Sequence, residues 1–171
     1  MNQGFFTKEE IKPNSYQPRQ HASCFTCGLY KTCQSPKMKT TGEGKRGILV
    51  WAEAPGEKED RRGEQLVGKA GTLARRALSK LSVDLDEDCW KLNSVNCRPV
   101  DSKGNNRPPT NDEIDACRPM VWKEVMRLKP KAILLMGGIA VESFLGHRWP
   151  GPTIGVPGKS QTWGFRSATI F

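Results

Sequence analysis

The apolar residues of this chain come in short runs separated by polar, glycine-rich stretches. Gly47-Ile-Leu-Val-Trp51 is continuous and opens into Ala-Glu-Ala-Pro-Gly, the pattern of a buried strand leading into a loop. Ala132-Ile-Leu-Leu-Met136 repeats that pattern, and Gly137-Gly138 leads from it into a short helix through Phe144-Leu145. Between them, Trp90-Lys-Leu-Asn-Ser-Val-Asn96 alternates as a strand does and is closed by Cys97-Arg-Pro. Ser167 to Phe171 has the composition of a fourth strand. Helical spacing appears in Thr72–Leu81, where Leu73, Ala77 and Leu81 share a face with Ala74 and Leu78 beside them. Thr110-Asn-Asp-Glu113 has the S/T-x-x-E form of a capping box, so a helix is predicted from there to about Leu128, before Lys129-Pro130.

Strand and helix alternate throughout, which predicts an α/β fold: a small parallel sheet of about four strands flanked by helices. Ligands of such sheets bind beyond the carboxyl ends of the strands, so the loops after Trp51, Asn96 and Met136 should gather on one rim. Residues 1–21 are polar and irregular, with Pro13 and Pro18, and read as a loosely ordered lead-in. Residues 22–171 are then a single domain, in line with a chain of 171 residues.

Charge adds a partner class to this picture. Lys and Arg total 27 against 18 Asp and Glu, a formal charge of +9 with a pI near 9.4. Such a balance suits a polyanion, whose counterions are released on binding, and equally a merely basic soluble surface. No run reaches the roughly 18 apolar residues of a membrane span, and Met1 to Ser15 lacks the apolar core of a secretory signal. The expectation is a cytoplasmic monomer with no membrane partner.

Six cysteines stand at 24, 27, 33, 89, 97 and 117. Without an export signal, they are read as ligands or free thiols rather than disulfides. Cys24 and Cys27 are spaced to place both sulfurs on one centre, and Cys97 and Cys117 are each followed by Arg-Pro, which stiffens a loop. Four thiolates suit structural zinc or an iron–sulfur cluster. Zinc favours a second tight pair, which is lacking here, whereas dispersed single cysteines suit a cluster. Spacing leaves zinc, iron and no metal all open. Cys33 is close enough to the pair to substitute as a ligand, and Cys89 reads as a small core residue.

Ala52-Glu-Ala-Pro-Gly-Glu-Lys-Glu-Asp60 sets carboxylates at the mouth of the sheet, and glycines at 56, 63, 68 and 71 let backbone approach a ligand. A carboxylate there can orient a water for attack on a glycosidic carbon or stabilise a cationic sugar. It is also an ordinary solvated surface charge.

Taken in order, these segments resemble the iron–sulfur uracil-DNA glycosylases, family 4 of that superfamily. The resemblance runs from about Cys24 to Gly146. It covers the cysteine pair with Gly-Leu-Tyr-Lys, then Ile-Leu-Val-x-x-Glu-Ala-Pro-Gly, then Glu-Asp-x-x-Gly-x-x-x-Val-Gly-Lys-Ala-Gly. Leu-Asn-Ser-Val-Asn-Cys-Arg-Pro, Asn-Arg-x-Pro-Thr-x-x-Glu-Ile-x-x-Cys and Lys-Pro-Lys-Ala-Ile-Leu-Leu-Met-Gly follow. The resemblance implies a domain that hydrolyses the N-glycosidic bond of uracil in single- or double-stranded DNA, holding the extruded base in a pocket. It implies that Cys24, Cys27, Cys97 and Cys117 hold a [4Fe–4S] cluster at one side of the sheet, with zinc the lesser candidate. Glu53 and Glu59 match the carboxylates that position water, Asn93 the base-reading asparagine, and Ala54 the backbone that closes the pocket.

Three positions depart from the family pattern. Ala52 stands for a usual glycine, and Leu66 for the phenylalanine that stacks on uracil. The family's His-Pro-Ser/Ala loop follows its last strand. Here the chain ends at Phe171, and His21 and His147 lie in other contexts, so a C-terminally truncated domain is expected. The alternative expectation is an iron–sulfur nucleic-acid-binding module with little or no glycosylase activity.

Overall fold

The computed structural model describes residues 24–146 and the backbone of residues 165–168. The lead-in 1–21, both histidines and residues 169–171 of the expected last strand lie outside the described residues. The elements are β1 (Ile48–Ala52), α1 (Glu57–Arg62), α2 (Lys69–Ser79), β2 (Cys89–Asn93), α3 (Asn111–Leu128), β3 (Ala132–Met136), α4 (Gly138–Leu145) and β4 (Phe165–Ala168). A single 3-10 turn, Leu29–Lys31, follows the first cysteine pair.

The sheet order is β2-β1-β3-β4. Strand β1 pairs in parallel with β2 and β3, but β4 runs antiparallel to β3, with Met136 opposite Phe165. The expected four-stranded parallel sheet is therefore three parallel strands with an antiparallel edge. The chain re-enters the sheet beside the carboxyl end of β3. Strand composition carries no direction, and the sequence could not distinguish this return from a parallel crossover.

Apolar side chains cover both faces of β1 and β3, which is why these strands read as continuous hydrophobic runs. Leu49, Trp51, Ile133 and Leu135 pack with Val121 and Val125 of α3 and Ala140 and Phe144 of α4. Trp51, Trp122 and Phe144 meet there with ring centroids 5.3–5.8 Å apart. Val50 and Ala52 face the opposite layer with Ala74, Val83, Leu85 and Cys89. Cys89 is thus a core residue, as its position suggested.

Helix α2 begins before Thr72, and its inward stripe is Ala70, Ala74 and Leu78, whereas Leu73 and Leu81 are exposed. Small Ala74 lets the helix lie close against the sheet. Helix α3 starts at the predicted box: Thr110 Oγ1 accepts from the Glu113 N–H (3.3 Å), and Glu113 Oε2 accepts from the Thr110 N–H (2.8 Å). Cys117-Arg-Pro119 proves to lie inside this helix rather than in a loop. Helix α1 falls where the sequence pattern predicts loop, since Glu-Lys-Glu-Asp-Arg-Arg offers no apolar stripe; its only buried side chain is Asp60.

Candidate functional site

Past the strands, β1 and β2 stay joined: Ser94 N–H donates to the Ala52 carbonyl (2.8 Å) and Val95 N–H to the Glu53 carbonyl (3.0 Å). Ser94 Oγ also donates to the Ala52 carbonyl and accepts from Trp51 Nε1. This lacing brings two predicted residues to one rim. Asn93, directly opposite Ala52, is 2% exposed, and its Nδ2 has no hydrogen-bond partner among the described residues. Glu53 is half-buried, and burial raises its carboxyl above the usual range. Leaving a buried amide unpaired costs about 1–3 kcal/mol, so such a group calls for a bound water or a ligand atom.

Glu59 sits differently. It lies on α1, and its Oε1 accepts the N–H of Gly68, the N-cap of α2 (2.7 Å). A Cβ at Gly56 or at Gly68 would lie 2.9 Å from its carboxylate oxygens, so a side chain at either position would displace the carboxylate from this seat. The carboxylate therefore ties α1 to the positive end of α2.

Leu66 is 5% exposed and packs in the layer that contains Ala52, Ala74 and Met136. Its φ is +57°, a left-handed conformation that costs a non-glycine residue energy. Two features hold it there. Arg75 Nη1 donates to the Leu66 carbonyl (2.7 Å), and Gly71 leaves room for that carbonyl, since a Cβ there would overlap it.

The charged cluster behind this loop is not visible in the sequence pattern. Lys91, on a strand whose alternation would turn it outward, is 1% exposed. Its ammonium donates to Glu64 Oε1 (2.7 Å) and to Asp86 Oδ1 (2.5 Å). Arg75 grips Asp86 through Nε and Nη2, each at 2.9 Å. The one available signal was local: Lys91 lies five residues after Asp86 on a short strand.

Ala54, partly buried, packs against Leu29, Val95, Cys97 and Ile114 and so joins the carboxylate loop to the cysteine region. Cys24, Cys27, Cys97 and Cys117 all line one cavity of about 590 Å³, with Asn96, Met120 and Lys37 among its other walls. Cys97 Sγ accepts from the Lys37 N–H (3.2 Å) and Cys117 Sγ from the Asn96 N–H (3.4 Å). Burial pushes the Cys97 thiol up to about 12 and the Cys117 thiol to about 11. As thiols they keep their protons at neutral pH, and a bound cation is what would make them thiolates.

Among the described residues, no three Cys, His, Asp or Glu side chains converge as ligands of a single ion would. Zn–S bonds of about 2.3 Å require sulfurs within roughly 4 Å of each other. Four thiols lining one cavity are a donor set that either zinc or an iron–sulfur cluster accepts. Cys33 packs beside Cys97 without lining the cavity, on a loop that Asp60 holds through the Gln34 and Ser35 N–H groups.

A model of the uracil DNA glycosylase superfamily matches residues 39–169. A type-4 uracil-DNA glycosylase of Pyrobaculum aerophilum is 37% identical over 123 residues, 72% of this chain and 60% of that protein. The type-4 enzyme of Archaeoglobus fulgidus is 33% identical over 124 residues, 72% of this chain and 59% of its own length. That of Thermotoga maritima is 35% identical over 142 residues, covering 82% of this chain and 69% of that protein. The chain thus spans about three fifths of the first two relatives.

Proposed function

The chain belongs to the uracil DNA glycosylase superfamily, and on that footing we propose that it hydrolyses the N-glycosidic bond of uracil in DNA and releases the free base. The observation that carries the reading is Asn93: a buried amide with an unpaired Nδ2, next to a desolvated carboxylate on the carboxyl rim. An extruded uracil offers carbonyl oxygens to such a donor, whereas thymine brings an added methyl group. Glu53 positions the attacking water and stabilises positive charge on the sugar, and Glu59, while its Oε1 holds the Gly68 N–H, supports the same water through its other oxygen. The backbone at Ala54 closes the pocket and polarises the departing base. Leu66 supplies apolar contact to it.

Cys24, Cys27, Cys97 and Cys117 fit a [4Fe–4S] cluster, which would order the loops around the cavity and take no part in bond cleavage. DNA is the partner, in keeping with the charge of +9. Among the described residues no helix is long and apolar enough to cross a membrane. We place the protein in the cytoplasm as a monomer.

A uracil-release assay on single- and double-stranded DNA tests the activity. Release that disappears in Asn93→Ala while DNA binding persists supports it. The absence of release from the cluster-loaded protein on both substrates overturns it. One observation favours the second reading, a nucleic-acid-binding module of the same fold: Leu66 is buried in the core and has no π-face to offer a base. DNA binding without release is the result that reading requires.

A further inference from the structure

Beside the cysteine cavity the surface combines an exposed aromatic ring with lysines. Phe25, between Cys24 and Cys27, is 61% exposed, and it is the only aromatic among the exposed large apolar side chains there. Tyr30 meets it edge-on, with centroids 5.4 Å apart and planes at 90°. Lys37 Nζ lies 3.9 Å from the centroid of Phe25 and 5.7 Å from that of Tyr30, and Lys31 Nζ is 5.8 Å from Tyr30.

The charges in this segment are one-sided. From Cys24 to Gly42 the chain carries Lys31, Lys37 and Lys39 and no Asp or Glu. None of these lysines forms an ion pair among the described residues. The nearby Glu124, on the same cavity wall, is taken by Arg127 at 2.6 and 2.9 Å.

Lys37 is also strained. Its φ is +57°, where glycine would cost less, and its N–H is pinned to Cys97 Sγ. That backbone conformation is maintained with a lysine in place, and it is this lysine whose ammonium caps Phe25. Exposed rings flanked by unneutralised cations are the arrangement that binds unpaired nucleotides. Bases stack on the rings, and the cations follow the phosphates.

We propose that Phe25 is a stacking platform for an unpaired base of a DNA strand, with Lys31, Lys37 and Lys39 contacting the phosphates on either side. The open face of the ring, opposite Lys37, receives the base. Tyr30 buttresses the ring edge-on. The proposal deepens the DNA-binding part of the reading above and gives the protein a preference for single-stranded DNA that does not depend on uracil.

The test uses the full cluster-loaded chain and a fluorescent oligothymidylate without uracil, alongside a duplex of the same length. Phe25→Ala and Phe25→Leu should weaken single-strand binding by about 5- to 100-fold, the range of one stacked base, and Phe25→Trp should preserve it. Duplex affinity should change little. Lys37→Gln should lower the slope of log affinity against log salt by about 0.7, the value of one single-strand phosphate. Phe25 is exposed, so these variants should fold, and an unchanged visible spectrum and melting temperature check this.

Single-strand affinity equal to the parent in Phe25→Leu, or equal losses on single strands and duplex, would overturn the platform. If uracil is never released but Phe25-dependent binding is present, the platform stands and the glycosylase reading fails. Release combined with Phe25-independent binding gives the reverse.

Discussion

Two sets of polar groups at the sheet's carboxyl rim are treated in opposite ways. Around Leu66 nearly every one is matched within the chain. Lys91 holds Glu64 and Asp86, Arg75 holds Asp86 and the Leu66 carbonyl, and Glu59 takes the Gly68 N–H. Gln65, fully buried, donates to the Lys39 carbonyl and accepts from Thr41 Oγ1. At the same rim, Asn93 Nδ2 and Asn96 Oδ1 are buried without partners among the described residues, and burial alone shifts the Glu53 carboxyl. The satisfied set holds shape. The other set is open to a bound water or a ligand atom.

Four perturbations break or sharpen this contrast. Removing Asn93 should have the largest effect. Asn93→Ala should lower uracil release by about 10²–10³-fold, as the loss of one preorganised donor does. Its melting temperature should hold or rise, because an unpaired buried group goes with it. A clear drop in melting temperature would count Asn93 among the satisfied groups.

Lys91→Ala should do the opposite, costing about 2–3 kcal/mol in denaturant unfolding by removing the buried cation. This is the lower end for a broken buried pair, because Glu64 and Asp86 are partly exposed. Lys91→Met, which fills the same space without charge, should come within about 1 kcal/mol of the parent. Equal losses in the two variants would mean that the ion pairs, and not the filled volume, hold this loop.

Glu59→Ala should cost about 1 kcal/mol by leaving the Gly68 N–H without its acceptor, and Glu59→Gln, which keeps an acceptor, should recover most of it. Chemical denaturation of the two variants separates them.

The smallest effect concerns pH. Burial raises the Glu53 carboxyl, so between its ordinary value and the raised one the folded protein binds a proton that the unfolded chain has lost. Stability attributable to Glu53 should therefore fall as pH rises through that window. The acid limb of release should lie above the ordinary carboxylate range, because the working form is ionised. A stability profile that Glu53→Gln leaves unaltered would show that Glu53 is not desolvated.

Much of the fold was legible because burial on two faces writes itself as uninterrupted apolar runs, as at 48–51 and 132–136, and because Thr110 and Glu113 are a local pair. Helix α1 was hidden by its charge, and α2 was placed on a neighbouring stripe because leucines outweighed the small Ala74 that actually meets the sheet. The chemistry of the rim was legible as residue types and no further. Nothing local distinguishes Glu53 from Glu59, yet one is desolvated and the other is clasped between two glycines. Lys91 is the plainest case, since its burial depends on carboxylates from two other segments.

The sequence by itself determined the strands, the capped helix, the family membership carried by ordered motifs, and the cysteine pair at 24 and 27. These rest on interactions between residues near each other in the chain, or on which faces must be apolar. The tertiary structure decided the direction of β4, the gathering of Cys97 and Cys117 with that pair around one cavity, and which polar groups were left without partners. Each of those depends on where distant segments meet. Hydrogen-bond satisfaction and desolvation are properties of that meeting, and no residue carries them alone.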